Sequence, residues 1–107
     1  MAKIVSPKIR FKHSGNDVAM IRVRLGTANS DPDYDTPYDE VPLPVLDPDG
    51  FRRIAVSALP KFANKEGVFD VDVTAVDVAG NESDFLQINS ANFDLSPPAA
   101  PTDGALG

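Results

Sequence analysis

Three aspartates in one short segment could provide oxygen ligands for a metal ion. Asp31, Asp33 and Asp35 alternate with other residues, which is the spacing that opens an EF-hand calcium loop. That loop needs a glycine at its sixth position and a glutamate at its twelfth, where this chain has Thr36 and Pro42. An EF-hand is therefore excluded. A looser calcium site is a hypothesis, set against the simpler interpretation of a solvated acidic loop.

His13 is the single histidine of the chain and the candidate base for a serine- or cysteine-type mechanism. Such a mechanism needs a carboxylate that orients the base and a nucleophile beside it. Ser14 is adjacent, but neighbouring residues of a strand point to opposite faces, and Asp17 lies across a turn without a visible nucleophile. The chain has no cysteine, which excludes disulfides and thiolate metal sites. We predict a structural role for His13, no catalytic residue and no cofactor.

Asp70 and Asp72 share one face of a predicted strand, and paired carboxylates can hydrolyse glycosidic bonds. Their expected neighbours across the sheet are Arg22 and Arg24, which point outward from an earlier strand. We therefore predict that an arginine of this pair bonds to one of the aspartates on a solvated sheet face. Exposed pairs of this kind contribute about 0.2–1 kcal/mol each.

Aromatic and amide side chains in two turns are the candidates for contact with a partner. Tyr34 and Tyr38 lie in the acidic segment, Phe51 follows it, and tyrosine among Asp, Asn and Ser is typical of adaptable binding loops. The alternative is that the tyrosines fold back over the open edge of the sheet. Asn81 begins a glycosylation tripeptide, but we interpret it as a turn residue. The interaction candidates are Tyr34, Tyr38, Phe51 and Asn81, with the turn Gly80–Asp84.

Alternation of apolar and polar residues predicts the strands that position these side chains. The clearest strand runs from Phe69 to Ala75, and a turn and a return strand to Ile88 follow it. The other predicted strands are Lys3–Val5, Ile9–His13, Val18–Leu25 and Arg52–Leu59. Val41–Val45 carries two prolines and is predicted to be either an edge strand or an extended polyproline-like rim. Pro60–Glu66 could hold one helical turn. About seven short strands without an amphipathic helix indicate an all-β, antiparallel β-sandwich. The predicted core is Ile9, Phe11, Ile21, Val23, Ile54, Val56, Leu59, Phe69, Val71, Val73, Ala75 and Ile88.

Length and charge limit the classes of partner. A chain of 107 residues makes one domain, and its net charge of −6 disfavours a nucleic-acid phosphate backbone or an anionic membrane. No apolar run approaches the ~20 residues that span a bilayer, and the first residues lack the apolar segment of a signal peptide. We expect a monomer that binds no nucleic acid and does not insert into membranes.

The strand and turn from Phe69 to Ser83 resemble the fibronectin type III domain of the bacterial kind. The family's aromatic-x-Val-x-Val-x-Ala strand and Asp-x-x-Gly-Asn-x-Ser turn match Phe69, Val71, Val73, Ala75, Asp77, Gly80, Asn81 and Ser83. Leu59-Pro60 is similar to the family's Leu-x-Pro corner, and 97–102 is similar to its inter-domain segments. Bacterial immunoglobulin-like modules share this strand and turn and are the alternative family. The resemblance implies a seven-stranded Greek-key sandwich over 1–95, followed by an extended Pro-rich linker or disordered tail over 96–107.

This resemblance implies a non-catalytic protein-interaction or spacer module, one unit of a larger surface, secreted or virion protein. A ligand-binding domain for carbohydrate or calcium-dependent adhesion, using the acidic Tyr-containing loop 31–49, is the first alternative. An accessory domain of a hydrolase is the second. The expected partner is a protein or a carbohydrate, and the sequence alone does not fix the compartment.

Overall fold

Strands dominate the structure, a computed structural model that describes Lys3, residues 5–62 and residues 64–107. The strands are β1 (Lys8–Phe11), β2 (Met20–Thr27), β3 (Tyr38–Pro42), β4 (Arg52–Ala55), β5 (Gly67–Val76) and β6 (Leu86–Phe93). One 3₁₀ turn, Val56–Ala58, follows β4. No helix in this described part has the length and apolar character needed to cross a membrane.

The strands form two antiparallel sheets, which confirms the all-β prediction. One sheet has the order β1-β4, and the other has the order β3-β2-β5-β6. Of the predicted first strand, Ile4 lies outside the described residues, while Lys3 and Val5 belong to no strand. The proline-bearing strand begins earlier than predicted, at Tyr38, and ends at Pro42, because proline cannot donate to a ladder.

The two sheets pack against each other through one apolar cluster. Register explains which faces meet: Ile21 lies opposite Ala75, and Val23 lies opposite Val73, so β2 and β5 share one apolar face. Ile9 and Phe11 of the smaller sheet are buried in the same cluster. The predicted core is buried except for three half-buried members at its margin, which are Phe69, Ala75 and Ile88.

Phe62 and Phe93 are core residues that alternation did not predict. Phe62 is fully buried, and its ring packs edge-on against Phe93 at 6.1 Å between centroids. Phe62 lies within Pro60–Glu66, where the sequence suggested one turn of helix. The structure has isolated hydrogen-bonded turns there and no helix, and Ala63 lies outside the described residues. Asp39 Oδ2 accepts the backbone N–H of Lys61 at 2.8 Å, which fixes this turn to β3.

The last residues form neither strand nor helix. Leu95 N–H and the Ser96 hydroxyl donate to Glu66 Oε1 at 3.3 and 2.6 Å, and residues 96–107 are exposed. The division into a domain over 1–95 and a linker over 96–107 stays a prediction.

Candidate functional site

The outer face of the four-stranded sheet is polar and nevertheless buried. Arg24, Asp70, Asp72 and Thr74 point to this face, and each is at most 4 % exposed. The connection between β2 and β3 folds across them, and we call residues 28–37 the covering loop. The prediction of a solvated face was therefore wrong, because alternation along a strand identifies two faces but not what covers the second one.

Arg24 fixes the covering loop to the sheet. Its Nε donates to the carbonyl oxygen of Thr36 and its Nη2 to that of Tyr34, both at 3.1 Å. Its Nη1 donates to Glu82 Oε2 at 2.7 Å. The rings of Tyr34, Tyr38 and Phe85 surround the guanidinium at 4.9–5.8 Å from its carbon, a distance typical of cation–π contact.

Glu82 holds both arginines of β2 with one carboxylate. Its Oε1 accepts Arg22 Nη1 at 2.9 Å, its Oε2 accepts Arg24 Nη1, and the Thr74 hydroxyl also donates to Oε2. Burial alone would raise the pKa of Glu82, but the bonds from Arg24 and Thr74 outweigh burial, so the pKa is lowered. Glu82 is therefore ionised at neutral pH and stabilises the fold there.

The predicted pairing of Arg22 or Arg24 with Asp70 or Asp72 is corrected. Arg24 and Asp72 are directly opposed across β2 and β5, as a cross-strand pair requires. However, the ion pairs of Arg22 and Arg24 in the described residues go to Glu40 and Glu82 instead. The guanidinium turns toward Glu82, since a turn carries that carboxylate back over the same face.

Asp70 bonds to backbone amides rather than to a cation. Its Oδ2 accepts the N–H of Ser30 in the covering loop at 3.2 Å, and its Oδ1 accepts the N–H of Ser90 at 2.9 Å. Ser90 has a φ of 54° where the register of β5 and β6 shifts. Asp70 thus satisfies an N–H that the bulge leaves without a ladder partner.

Asp72 is the one member of this face with an unsatisfied atom in the described structure. Its Oδ1 is buried without a hydrogen-bond partner. Burial raises the pKa of Asp72, the Gln87 side chain opposes that rise, and the charge of nearby Asp70 adds to it. The two carboxylates therefore differ: Asp70 is bound by donors on both oxygens, whereas Asp72 is destabilised when ionised.

We expect Asp72→Asn to stabilise the protein at neutral pH, because the amide has the same shape but carries no charge to be buried. The folded-state pKa is raised, so protonated Asp72 contributes stability below the ordinary aspartate pKa, and this stability is lost as pH rises through the raised value. The gain of the variant should therefore shrink between pH 7 and pH 3. Urea unfolding at both pH values measures it, and a gain that grows on acidification would contradict this account.

Tyr34 and Tyr38 fold back over the sheet and still face solvent. Tyr34 Oη donates to the carbonyl oxygen of Ser83 at 2.9 Å, and its ring lies 4.3 Å from that of Phe85. The Arg22 guanidinium lies over the Tyr38 ring, with 4.3 Å between its central carbon and the ring centroid. The two tyrosines remain 47 % and 37 % exposed. We call Tyr34, Tyr38, Phe85 and the turn 80–84 the tyrosine surface, since the structure joins the two segments that the sequence proposed separately.

Asn81 helps to close the turn of this surface, as predicted. Its N–H and its side-chain amide donate to the two carboxylate oxygens of Asp77 at 2.8 and 3.0 Å. These bonds lower the pKa of Asp77. Phe51, the remaining interaction candidate, lies apart, immediately before β4, with Arg10 and Lys12 over its ring at 4.5 and 4.9 Å.

The calcium candidates are not gathered into a site. Asp31, Asp33 and Asp35 are exposed, and Asp33 Oδ1 accepts the N–H of Asp35 at 2.9 Å, which closes a local turn. Among residues 3, 5–62 and 64–107, no three acidic or histidine side chains are close enough to hold a metal ion.

His13 has a local structural contact. Its Nδ1 accepts the N–H of Gly15 at 2.8 Å, so the half-buried ring closes the turn that follows it. Its carbonyl oxygen accepts Arg52 Nε at 3.0 Å. Arg52, a buried residue, also donates to the carbonyl oxygens of Ser14 and Pro44, so its guanidinium connects two loops.

Sequence reasoning missed Glu82 and Arg52. Glu82 looked like an unconstrained turn position, yet it pairs with Val76 across the turn and so lies on the outer face beside Arg22 and Arg24. Arg22 and Arg24 on β2 do indicate an acid on the same face, but Asp70 and Asp72 already satisfy that requirement in the sequence, so the pattern does not identify Glu82. For Arg52 we find no such signal in the sequence.

Comparison with protein-family models, curated proteins and solved structures gives no significant match to this chain.

Proposed function

We propose that this chain is a non-catalytic protein-interaction or spacer module. One observation carries the proposal: the outer-face residues that suggested chemistry hold the covering loop, and Tyr34 of that loop and Tyr38 at the start of β3 remain partly exposed. Asp70 binds Ser30, and Arg24 binds the carbonyl oxygens of Tyr34 and Thr36. Residues with these partners have a structural role, and the surface that they hold in place is aromatic.

A fixed aromatic surface favours binding of a protein partner. Tyrosine provides a large contact area at a low cost in side-chain entropy, and a preorganised loop lowers the cost of association further. Tyr34 is held at its hydroxyl by Ser83 and at its backbone by Arg24, so its ring has little freedom to lose. The tyrosine surface is therefore the proposed contact region, with Asn81 in its turn.

We also propose a Greek-key sandwich of the fibronectin type III or immunoglobulin-like class. The connections β1–β2, β3–β4 and β4–β5 each cross between the two sheets, which supports that topology. The strand and turn from Phe69 to Ser83 support the family resemblance. The proposed setting follows from the resemblance: one unit of a larger surface, secreted or virion protein, joined to the next unit by the Pro-rich segment 96–107.

The other functions proposed from the sequence have less support. Calcium-dependent adhesion would need ligands that converge, whereas Asp31, Asp33 and Asp35 form no such cluster in the described residues. Carbohydrate binding and a hydrolase accessory role have no contact in the structure that favours them. Calorimetric titration with calcium and with a panel of sugars distinguishes the first alternative, since heat from either would favour it.

Photo-cross-linking in the native full-length protein tests the proposal. A benzoylphenylalanine in place of Tyr34 or Tyr38 should form a cross-link to a specific protein. The same group in place of Val45, which is 79 % exposed and outside the tyrosine surface, should not. Equal cross-linking at all three positions would contradict a specific surface. No cross-link at any of them would refute the tyrosine surface as the contact region.

A further inference from the structure

Strand β1 has a free edge. Its strand partner within the described residues is β4 alone. Backbone groups of an antiparallel pair point alternately toward the partner and away from it. Because Val56 N–H donates to the carbonyl oxygen of Pro7 at 3.0 Å, residues 7, 9 and 11 face β4. Lys8 and Arg10 therefore direct their N–H and C=O groups to the open side.

An apolar cleft lies beside this edge, between β1 and β6. It contains two cavities of about 270 and 250 Å³, both of which reach core residues of β5, Val71 and Val73. The first is lined by residues 7–10 and the second by residues 11–13, so together they border all of β1. The cleft thus follows the full length of β1 and offers space for the apolar side chains of one added strand.

The other sheet edges carry features that disfavour strand addition. β6 has a bulge with Ser90 in a left-handed conformation. β3 ends at Pro42, and the far side of β4 is bridged by Leu46 through Arg52. β1 pairs with β4 in unbroken register, so it is the edge best suited to accept a strand.

Charge indicates which strand the edge would accept. Lys8, Arg10 and Lys12 are exposed on the outward face of β1, and the ion pairs found among the described residues do not include them. A second copy of the same edge would be repelled, whereas acidic residues at alternate positions of an added strand would lie beside these cations. The chain's own Lys3 and Val5 line a cavity with residues 94–98.

We propose that the β1 edge binds an extended segment of another protein in which apolar residues alternate with aspartate or glutamate. The segment adds a third strand to the β1-β4 sheet, with its apolar residues in the two cavities and its acids beside Lys8, Arg10 and Lys12. This inference rests on the proposed interaction function and names a second contact surface for it.

The probe is a capped seven-residue peptide, Val-Asp-Val-Asp-Val-Asp-Val, with a matched control in which lysine replaces aspartate. In a titration of the ¹⁵N-labelled chain, the acidic peptide should shift the amide signals of Lys8 and Arg10 and slow their exchange with solvent. The lysine peptide should bind at least about tenfold more weakly. Equal binding of the two peptides, or shifts at Phe51 without amide protection, would overturn the proposal.

Two variants keep the test independent of folding. Replacing Lys8, Arg10 and Lys12 together by glutamate should reverse the preference in favour of the lysine peptide. Because Arg10 and Lys12 also contact the Phe51 ring, amide signals away from Phe51 must stay native in this variant. Arg10→Pro removes an edge donor without touching the β1–β4 ladder, and it should abolish binding while the other amide signals stay native. A Tyr34 cross-link without peptide binding would refute this inference and retain the proposed function. Peptide binding without a Tyr34 cross-link would support the β1 edge and refute the tyrosine surface.

Discussion

Arg24→Met is expected to lower the free energy of unfolding by about 3–5 kcal/mol, the usual cost of removing one partner of a buried ion pair. The variant keeps the apolar stem but leaves Glu82 without its best-buried cation and leaves the carbonyl oxygens of Tyr34 and Thr36 without a donor. Natural domains have about 5–15 kcal/mol of stability, so the loss should be visible in both urea and thermal unfolding.

Arg22→Met is the matched control for this prediction. Arg22 bonds to the same Glu82 carboxylate, but its side chain is 22 % exposed, against 1 % for Arg24. We expect a loss of about 1 kcal/mol for this more exposed pair. The double variant Arg24→Met with Glu82→Gln should lose less than the sum of its single changes. Similar losses for Arg22→Met and Arg24→Met would show that the covering loop does not depend on Arg24.

Asp70→Ala is expected to destabilise the protein by about 3 kcal/mol. A hydrogen bond to a charged group contributes about 1.5–3 kcal/mol, and this change removes two of them at a fully buried carboxylate. The Ser90 N–H at the bulge and the Ser30 N–H in the covering loop both lose an acceptor. Urea unfolding gives the stability, and amide exchange at Ser90 shows whether the bulge is the part that opens.

Asp77→Ala is the comparison for Asp70. The Asp77 carboxylate also accepts two hydrogen bonds, both from Asn81, but it does so in an exposed turn where water can replace it. We therefore expect a much smaller loss of stability for Asp77→Ala than for Asp70→Ala. If Asp77→Ala cost as much as Asp70→Ala, burial would not be what makes Asp70 important.

The sequence predicted the inner layer of this protein better than its outer face. Alternation along β2 and β5 identified Ile21, Val23, Val71 and Val73 as core because apolar side chains have only one favourable environment. The same alternation did not predict whether the outer-face residues are exposed or buried. The Arg24 guanidinium is stable either in water or beside a buried acid, and the path of the covering loop determines which of the two it has.

Turns account for most of the remaining difference. The Asp77-to-Ser83 turn was recognised from its residue types, since Gly80 has a φ of 92° that favours glycine. The contacts that this turn makes were not predicted. It places Glu82 beside Thr74 and brings the Ser83 carbonyl oxygen to the Tyr34 hydroxyl. The contacts of Ser83 with Tyr34 and of Glu82 with Arg24 join residues 49 and 58 positions apart, and local patterns carry no information about them.

The state of the Arg24 guanidinium tests the central claim that buried polar residues hold the tyrosine surface in place. In a ¹⁵N-labelled sample, the Nε–H proton of Arg24 should exchange slowly with water at neutral pH and show contacts to the Tyr38 ring, because it is buried and bonded to Thr36. The exposed Arg10 provides the internal reference. An Arg24 signal that exchanges as fast as that of Arg10, without contacts to Tyr38, would contradict the account.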